Sequence, residues 1–170
     1  MTESVAELLN TMEQQCRQLL ADQGIDQPCI IGIHTGGVWV AQALKDRLGL
    51  TGPLGTLDIS FYRDDFSHIG LHPQVKPSEI PFDIEDRHIL LIDDVLHTGR
   101  TIRAALNEIF DYGRPASITL AVLIDRGGRE LPITAQITGK TLQLSPEEEV
   151  QVQGPEPLSY SIVIKEPIND

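Results

Sequence analysis

Residues 89–101 read ILLIDDVLHTGRT. Ile89 to Ile92 are four apolar residues in a row, the pattern of a strand buried on both faces of a parallel sheet. Two acids follow at once, then His97-Thr98-Gly99-Arg100-Thr101 leads into a segment where Ile102, Ala105, Leu106 and Ile109 mark a helix that stops near Gly113 and Pro115. A strand, a polar loop and a helix form the repeating unit of α/β sheets, whose ligands bind beyond the carboxyl ends of the strands. Asp93 and Asp94 are therefore delivered to the ligand-binding edge. Unpaired N–H groups at the start of the helix, with its dipole, favour a phosphate; Gly99 permits close approach, and Thr98 and Thr101 add hydroxyl donors. The carboxylates suit ribose hydroxyls. An acid pair alone often only solubilises a strand end, and a threonine alone often only caps a helix. The complete string, flanked by strand and helix, favours a loop that holds a sugar phosphate. Neither G-x-x-x-x-G-K-[ST] nor a G-x-G-x-x-G after a strand occurs, which sets aside P-loop and dinucleotide-binding readings.

The same unit occurs upstream. Val5, Leu8, Leu9, Met12, Cys16, Leu19 and Leu20 recur at helical spacing and predict an opening helix that Gly24 terminates. Residues 29–33 read as a buried strand, and His34-Thr35-Gly36-Gly37 turns into a helix carrying Val38, Ala41, Leu44 and Leu48. A second strand is expected over 54–62. Residues 63–86 are polar and proline-rich without periodicity, as in a functional lid or a long loop. Residues 117–124 predict another buried strand, and 150–153 and 160–165 predict shorter ones joined across Gly154-Pro155. The expected fold class is α/β, a mainly parallel sheet with helices on both faces and right-handed crossovers.

Composition narrows the classes. With 170 residues, 41% of them hydrophobic, the chain suits one buried core and is expected to form a single domain over 1–170. A net charge of −12 disfavours wholesale attraction to nucleic acid, and the 13 basic residues are scattered, so an RNA site would have to be assembled by folding or association. Cys16 and Cys29 lack metal-site spacing and read as reduced core thiols. Without a signal-peptide pattern or an apolar run of membrane-spanning length, no membrane association and a cytoplasmic location are expected.

The 89–101 string resembles the phosphoribosyl pyrophosphate (PRPP) signature of type I phosphoribosyltransferases. Residues 55–59 (GTLDI), 61–65 (FYRDD), 80–84 (IPFDI), 112–115 (YGRP) and 120–133 (LAVLIDRGGRELPI) extend the likeness to those members that regulate pyrimidine operons and are also uracil phosphoribosyltransferases. The resemblance implies the type I phosphoribosyltransferase fold with a lid over about 64–86 and a small hood over about 125–140 with the C-terminal strands. It also implies transfer of phosphoribosyl from PRPP to uracil, giving UMP and pyrophosphate. Asp93, Asp94 and Arg63 would be catalytic, the acids at the ribose hydroxyls and Arg63 at pyrophosphate. Val95, Leu96, His97, Thr98, Gly99, Arg100 and Thr101 would hold PRPP through its 5′-phosphate, and Thr35, Gly36 and Gly37 would hold its pyrophosphate. Asp125, Arg126, Leu131 and Pro132 would meet uracil. Mg2+ is the implied cofactor, held mainly by PRPP and touched at most by Asp93 or Asp94. Implied partners are a pyrimidine leader RNA and a second copy of the chain, in a homodimer or larger assembly. An alternative is a UMP-responsive RNA-binding regulator with weak catalysis. Two departures stand out: Thr35-Gly36-Gly37 replaces the usual T-R-G, and the hood string DRGGRELPITAQ carries Gly128, Thr134 and Gln136 where His, Arg and Asp are usual.

Overall fold

Ser4 opens the first helix, α1 (Val5–Gln23): its Oγ accepts from the Glu7 N–H at 3.2 Å, and Gly24, at φ 66°, closes the helix with its own N–H on the Ala21 carbonyl. The computed structural model describes residues 4–59 and 78–165. Across that span α1 is followed by β1 (Cys29–Ile33), α2 (Gly36–Leu48), β2 (Gly55–Leu57), β3 (His88–Leu96), α3 (Arg100–Tyr112), β4 (Ser117–Asp125), β5 (Ile137–Thr141), β6 (Glu148–Gln153) and β7 (Ser159–Ile164). Strands β1 to β5 form one parallel sheet in the order β2-β1-β3-β4-β5, and β6 and β7 form a separate antiparallel pair.

That order places the site. The chain leaves β1 toward β2 on one side and then returns to put β3 on the other, so the direction of winding reverses between β1 and β3. Crevices at such a reversal are where open α/β sheets take their ligands. The loops that end there are 34–37, after β1, and 97–99, after β3.

Alternation along the strands builds the core on both faces. Ile30, Leu90, Ile92, Ala121 and Leu123 pack with Leu8, Leu9, Met12 and Cys16 of α1 and Val40, Ala41 and Leu44 of α2. Ile31, Ile33, Leu57, Ile89, Leu91, Leu120 and Val122 pack with Ile102, Ala105 and Ile109 of α3 and with Ile84. Burying both faces is why these strands read as unbroken apolar runs.

Three sequence expectations change in detail. The strand expected over 54–62 is paired only from Gly55 to Leu57, after which the Asp58 N–H donates to Ser78 Oγ at 3.0 Å instead of to a neighbouring strand; residues 60–62 lie outside the described residues. Of the span 64–86 expected as a lid, residues 78–86 pack on the sheet: Glu79 bridges Thr56, and Ile84 is fully buried. Strand β5 is the third. Its sequence ITGKT carries one strongly apolar residue, too few to mark a strand, and its outer edge is completed from a distance. Gln15 of α1 donates to the Thr138 carbonyl at 3.0 Å and accepts from the Thr138 N–H at 2.9 Å, replacing a sixth strand by a side-chain amide.

No helix among the described residues is long and apolar enough to cross a membrane. Cys16 is fully buried beneath α1, and burial pushes its thiol up to about 12; Cys29 is shifted upward for the same reason. The thiolate is the reactive form. Neither cysteine of the native chain is therefore expected to titrate with a thiol reagent at pH 8 within minutes, and both should titrate in denaturant. Rapid native labelling of Cys16 would contradict this packing.

Candidate active site

Strand β3 runs through the acid pair rather than stopping before it. Asp93 is 3% exposed and lies in register with Val122 of β4. Its Oδ1 accepts from the Asp94 N–H at 2.8 Å, and Asp94 Oδ1 in turn accepts from the Val95 N–H at 2.8 Å. Each carboxylate is thus held against the backbone by one oxygen, the kind of fixed placement that a charged group needs if it is to act without reorganising.

The turn after β1 lies directly on these acids. A Cβ built on Gly37 would stand 2.9 Å from the Ile92 carbonyl and 3.1 Å from Asp93 Oδ1, and one built on Gly36 would fall on Asp94 Oδ2. Only glycine fits at either position while the acids stay in place. The departure from T-R-G noted at Gly36 thus has a steric counterpart here, because any side chain at 36 would require Asp94 to move. The His34–Thr35 peptide that leads into the turn is cis.

Two helices begin at this crevice, and neither is capped by a side chain. Thr35 precedes α2 and makes no cap bond; Gly99, at φ 94°, precedes α3 and has no side chain to make one. Thr98 Oγ1 accepts from the Arg100 N–H at 3.2 Å. The remaining first-turn N–H groups are the donors that an anion would use.

The connection from β4 to β5, residues 126–136, closes the other side. Its backbone is joined to the loop after β3: Arg126 N–H donates to the Leu96 carbonyl at 3.0 Å, and Glu130 and Leu131 N–H donate to the Thr98 carbonyl at 2.9 and 3.1 Å. Arg129 ties the parts together. It donates to Asp125 Oδ2 at 2.6 Å, to the His97 carbonyl at 2.9 Å and to the Ile133 carbonyl at 2.8 Å. Arg100 and Glu130 form a further ion pair at 2.8 Å, both half-exposed and so worth little on their own.

The residues singled out from the sequence, Arg63 excepted, can now be placed. Asp93, Asp94, Thr35, Gly36, Gly37 and the 95–101 loop meet at one edge. Asp125 and Leu131 stand beside that loop. Pro132 lines a cavity with Ile102 and Leu106 of α3 and with Thr134 and Gln136. Arg126 is 8% exposed and sends its guanidinium away, donating to the Glu148 carbonyl at 2.9 Å and the Ser145 carbonyl at 3.4 Å. It thereby anchors the start of β6 to the end of β4. Arg63 lies outside the described residues. Sequence reasoning passed over Arg129 and Lys165. Opposite charges at Asp125 and Arg129 were the available signal for the first; Lys165, whose charge reaches His97, sits 68 residues downstream and carries no motif.

These contacts set the charge states. Burial raises the Asp125 carboxyl, but the Arg129 and Gly127 hydrogen bonds and the Arg129 charge outweigh it, leaving the group below its ordinary range. Burial, then Arg126, Lys165 and Arg129, lower the His97 imidazole against the opposing pull of Glu130.

The chain belongs to the phosphoribosyl transferase domain family, whose model matches residues 3–159. Its fold is shared with solved hypoxanthine phosphoribosyltransferases. That of Trypanosoma cruzi superposes with a TM-score of 0.66 at 21% identity, covering 84% of this chain and 77% of the other. That of Staphylococcus aureus gives 0.65 at 23%, covering 86% and 77%. Within the family, the chain belongs to the PyrR branch. It is 56% identical over 162 residues to the "Bifunctional protein PyrR" of Nitrosococcus oceani, covering 94% of this chain and 92% of that protein. It is 61% identical over 154 residues to the protein of the same name in Pseudomonas putida, covering 91% and 90%.

Because the Asp125 carboxyl is depressed in the folded state, its contribution to stability is present above the unfolded value near pH 4 and disappears as pH falls through the lower folded value. Asp125→Asn should therefore flatten the fall in stability below about pH 4. Chemical denaturation at pH 3, 4 and 6 would measure it, and equal slopes in both proteins would contradict the pairing.

Proposed function

We propose that this protein transfers the phosphoribosyl group of PRPP to uracil, giving UMP and pyrophosphate, and that it also regulates pyrimidine genes by binding leader RNA. The observation that carries the catalytic half is the meeting of the glycine turn 36–37 with the Asp93-Asp94 pair at the β1/β3 reversal, with two uncapped helix starts beside it.

In this reading the ribose lies over Asp93 and Asp94, whose oxygens accept from its hydroxyls. The 5′-phosphate takes the backbone donors and hydroxyls of residues 97–101, and pyrophosphate takes those of 35–37. As the bond from the ribose C1 to the pyrophosphate oxygen breaks, its electron pair leaves with pyrophosphate and positive charge grows on the sugar ring. Fixed carboxylates beside the ring stabilise that charge without first having to turn. Uracil N1 forms the new bond to C1 and its proton passes to the departing pyrophosphate, while the 126–133 segment excludes water from the sugar cation. Arg63 is assigned to the departing pyrophosphate on the sequence resemblance.

Magnesium fits this arrangement as part of the substrate. Among the described residues no group of three or more His, Cys, Asp or Glu side chains is placed to hold a metal alone. An ion that keeps phosphate oxygens and water takes only one or two carboxylates from a protein, and the Asp93-Asp94 pair offers such donors. Asp93 or Asp94 would be that contact. Bound there, magnesium supplies charge neutralisation for the leaving group.

The regulatory half rests on membership of a branch called bifunctional and on the sequence resemblance to pyrimidine-operon regulators. A dimer or larger homo-oligomer is part of the same proposal.

Purified protein given uracil and magnesium PRPP should release pyrophosphate and form UMP. Asp94→Asn, which keeps the shape and removes the charge, should lower kcat by about a hundredfold or more. A folded wild-type protein that turns over no uracil would overturn the catalytic assignment. For the regulatory half, a pyrimidine leader RNA should be retarded in a gel and more strongly with UMP present, and no retardation at low salt would overturn it.

A further inference from the structure

His97 sits at the seam between the phosphate loop and the β4–β5 connection, and its surroundings differ from those of the loop's other members. Its carbonyl is taken by Arg129 Nη1 at 2.9 Å, and the residues on either side are joined by backbone bonds to Arg126, Glu130 and Leu131. The main chain at 97 is therefore fixed from the 126–131 side. The imidazole goes to the same side, where it rests on Gly128. A Cβ built there would stand 2.9 Å from both Cδ2 and Nε2 of the ring, and Gly128 has φ 76°, a conformation that side-chain-bearing residues rarely take. Ring and glycine exclude one another: a side chain at 128 has no room while His97 holds its place. His97 as a whole is exposed.

The charges around the ring are those of Arg126, Arg129 and Glu130 in the same connection and Lys165 after β7. Burial, and then the three cations, lower the imidazole from its ordinary value and so favour its neutral form. It then carries one N–H and one acceptor nitrogen. That pair complements the alternating carbonyl and N–H groups on the edge of a neutral pyrimidine, whereas a phosphate would call for a cation or for donors alone.

We propose that His97 is a specificity-determining residue for the base: its imidazole, seated on Gly128, forms the wall of the pyrimidine pocket and contacts the base, not the phosphate. The hood histidine usual at 128 is missing from this chain, and the His97 ring fills the room it leaves. This inference rests on the uracil transferase reading.

The test is a double-mutant cycle in steady-state kinetics, with the full chain, varied uracil and varied magnesium PRPP. His97→Ala should raise the KM for uracil about tenfold, the loss of roughly one hydrogen bond, and leave the KM for PRPP within about twofold. Gly128→Ala should act in the same direction by displacing the ring. The uracil KM of the double variant should match that of His97→Ala alone, because no ring remains to be displaced, while the positive φ at 128 lowers the melting temperature of both Gly128→Ala proteins alike. Thermal melting of each variant separates this from simple unfolding, and His97→Gln, which keeps a neutral donor and acceptor, should recover part of the uracil KM even if Gly128→Ala proves unstable. Unchanged uracil KM in His97→Ala, a rise confined to the PRPP KM, or fully additive effects of the two substitutions would each overturn the proposal. Wild-type turnover of uracil is the separate control: its absence would overturn the assigned reaction, whereas normal wild-type turnover with an indifferent His97→Ala would overturn only the role of this residue.

Discussion

Backbone meets carboxylate at the carboxyl ends of β1 and β3, where Gly36 and Gly37 lie so close over Asp94 and Asp93 that no side chain fits between them. The remaining geometry follows from that approach. It requires β1 and β3 to be neighbours, which the β2-β1-β3-β4-β5 order provides, and it brings the starts of α2 and α3 to one crevice. It also fixes both acids, each by one oxygen on the following N–H. Carboxylates beside two helix starts are the arrangement on which the proposed sugar-phosphate site rests.

A second constraint operates across the crevice. The loop after β3 has little freedom of its own, because its carbonyls are taken by donors from residues 126–131 and its seam is pinned by Arg129. Arg129 also holds Asp125 and the Ile133 carbonyl, so one guanidinium fixes the end of β4, the loop after β3 and the segment before β5. Arg126, its neighbour, is turned the opposite way and secures the β6 strand instead. Two arginines three residues apart in one motif thus have different tasks, one beside the loop after β3 and one behind it. In a chain of net charge −12, the charges of Arg126, Arg129 and Lys165 all act on His97, beside the crevice.

Much of this was legible in the sequence. The unbroken apolar runs at 29–33, 89–92 and 117–124 marked buried parallel strands, because residues alternating between two covered faces must all be apolar. Asp93-Asp94 followed by T-G-R-T marked the ligand edge, because a strand end, a glycine and a helix start are local features carried by consecutive residues. Strand β5 was not legible, since its stability comes from β4 and from Gln15, 123 residues away. Nor was the end of β2 at Leu57, where Ser78 replaces a partner strand.

The sequence by itself determined the fold class, the two loops and the family, all of which depend on periodicity and on contiguous strings. Tertiary structure alone decided how those loops relate: that Gly36 is barred from bearing a side chain by Asp94, that Arg126 faces away while Arg129 faces in, and that His97 leans on Gly128 under the charge of Lys165. These are contacts between residues far apart in the chain. Their partners are chosen by the packing of the sheet, which no local pattern of residue types records.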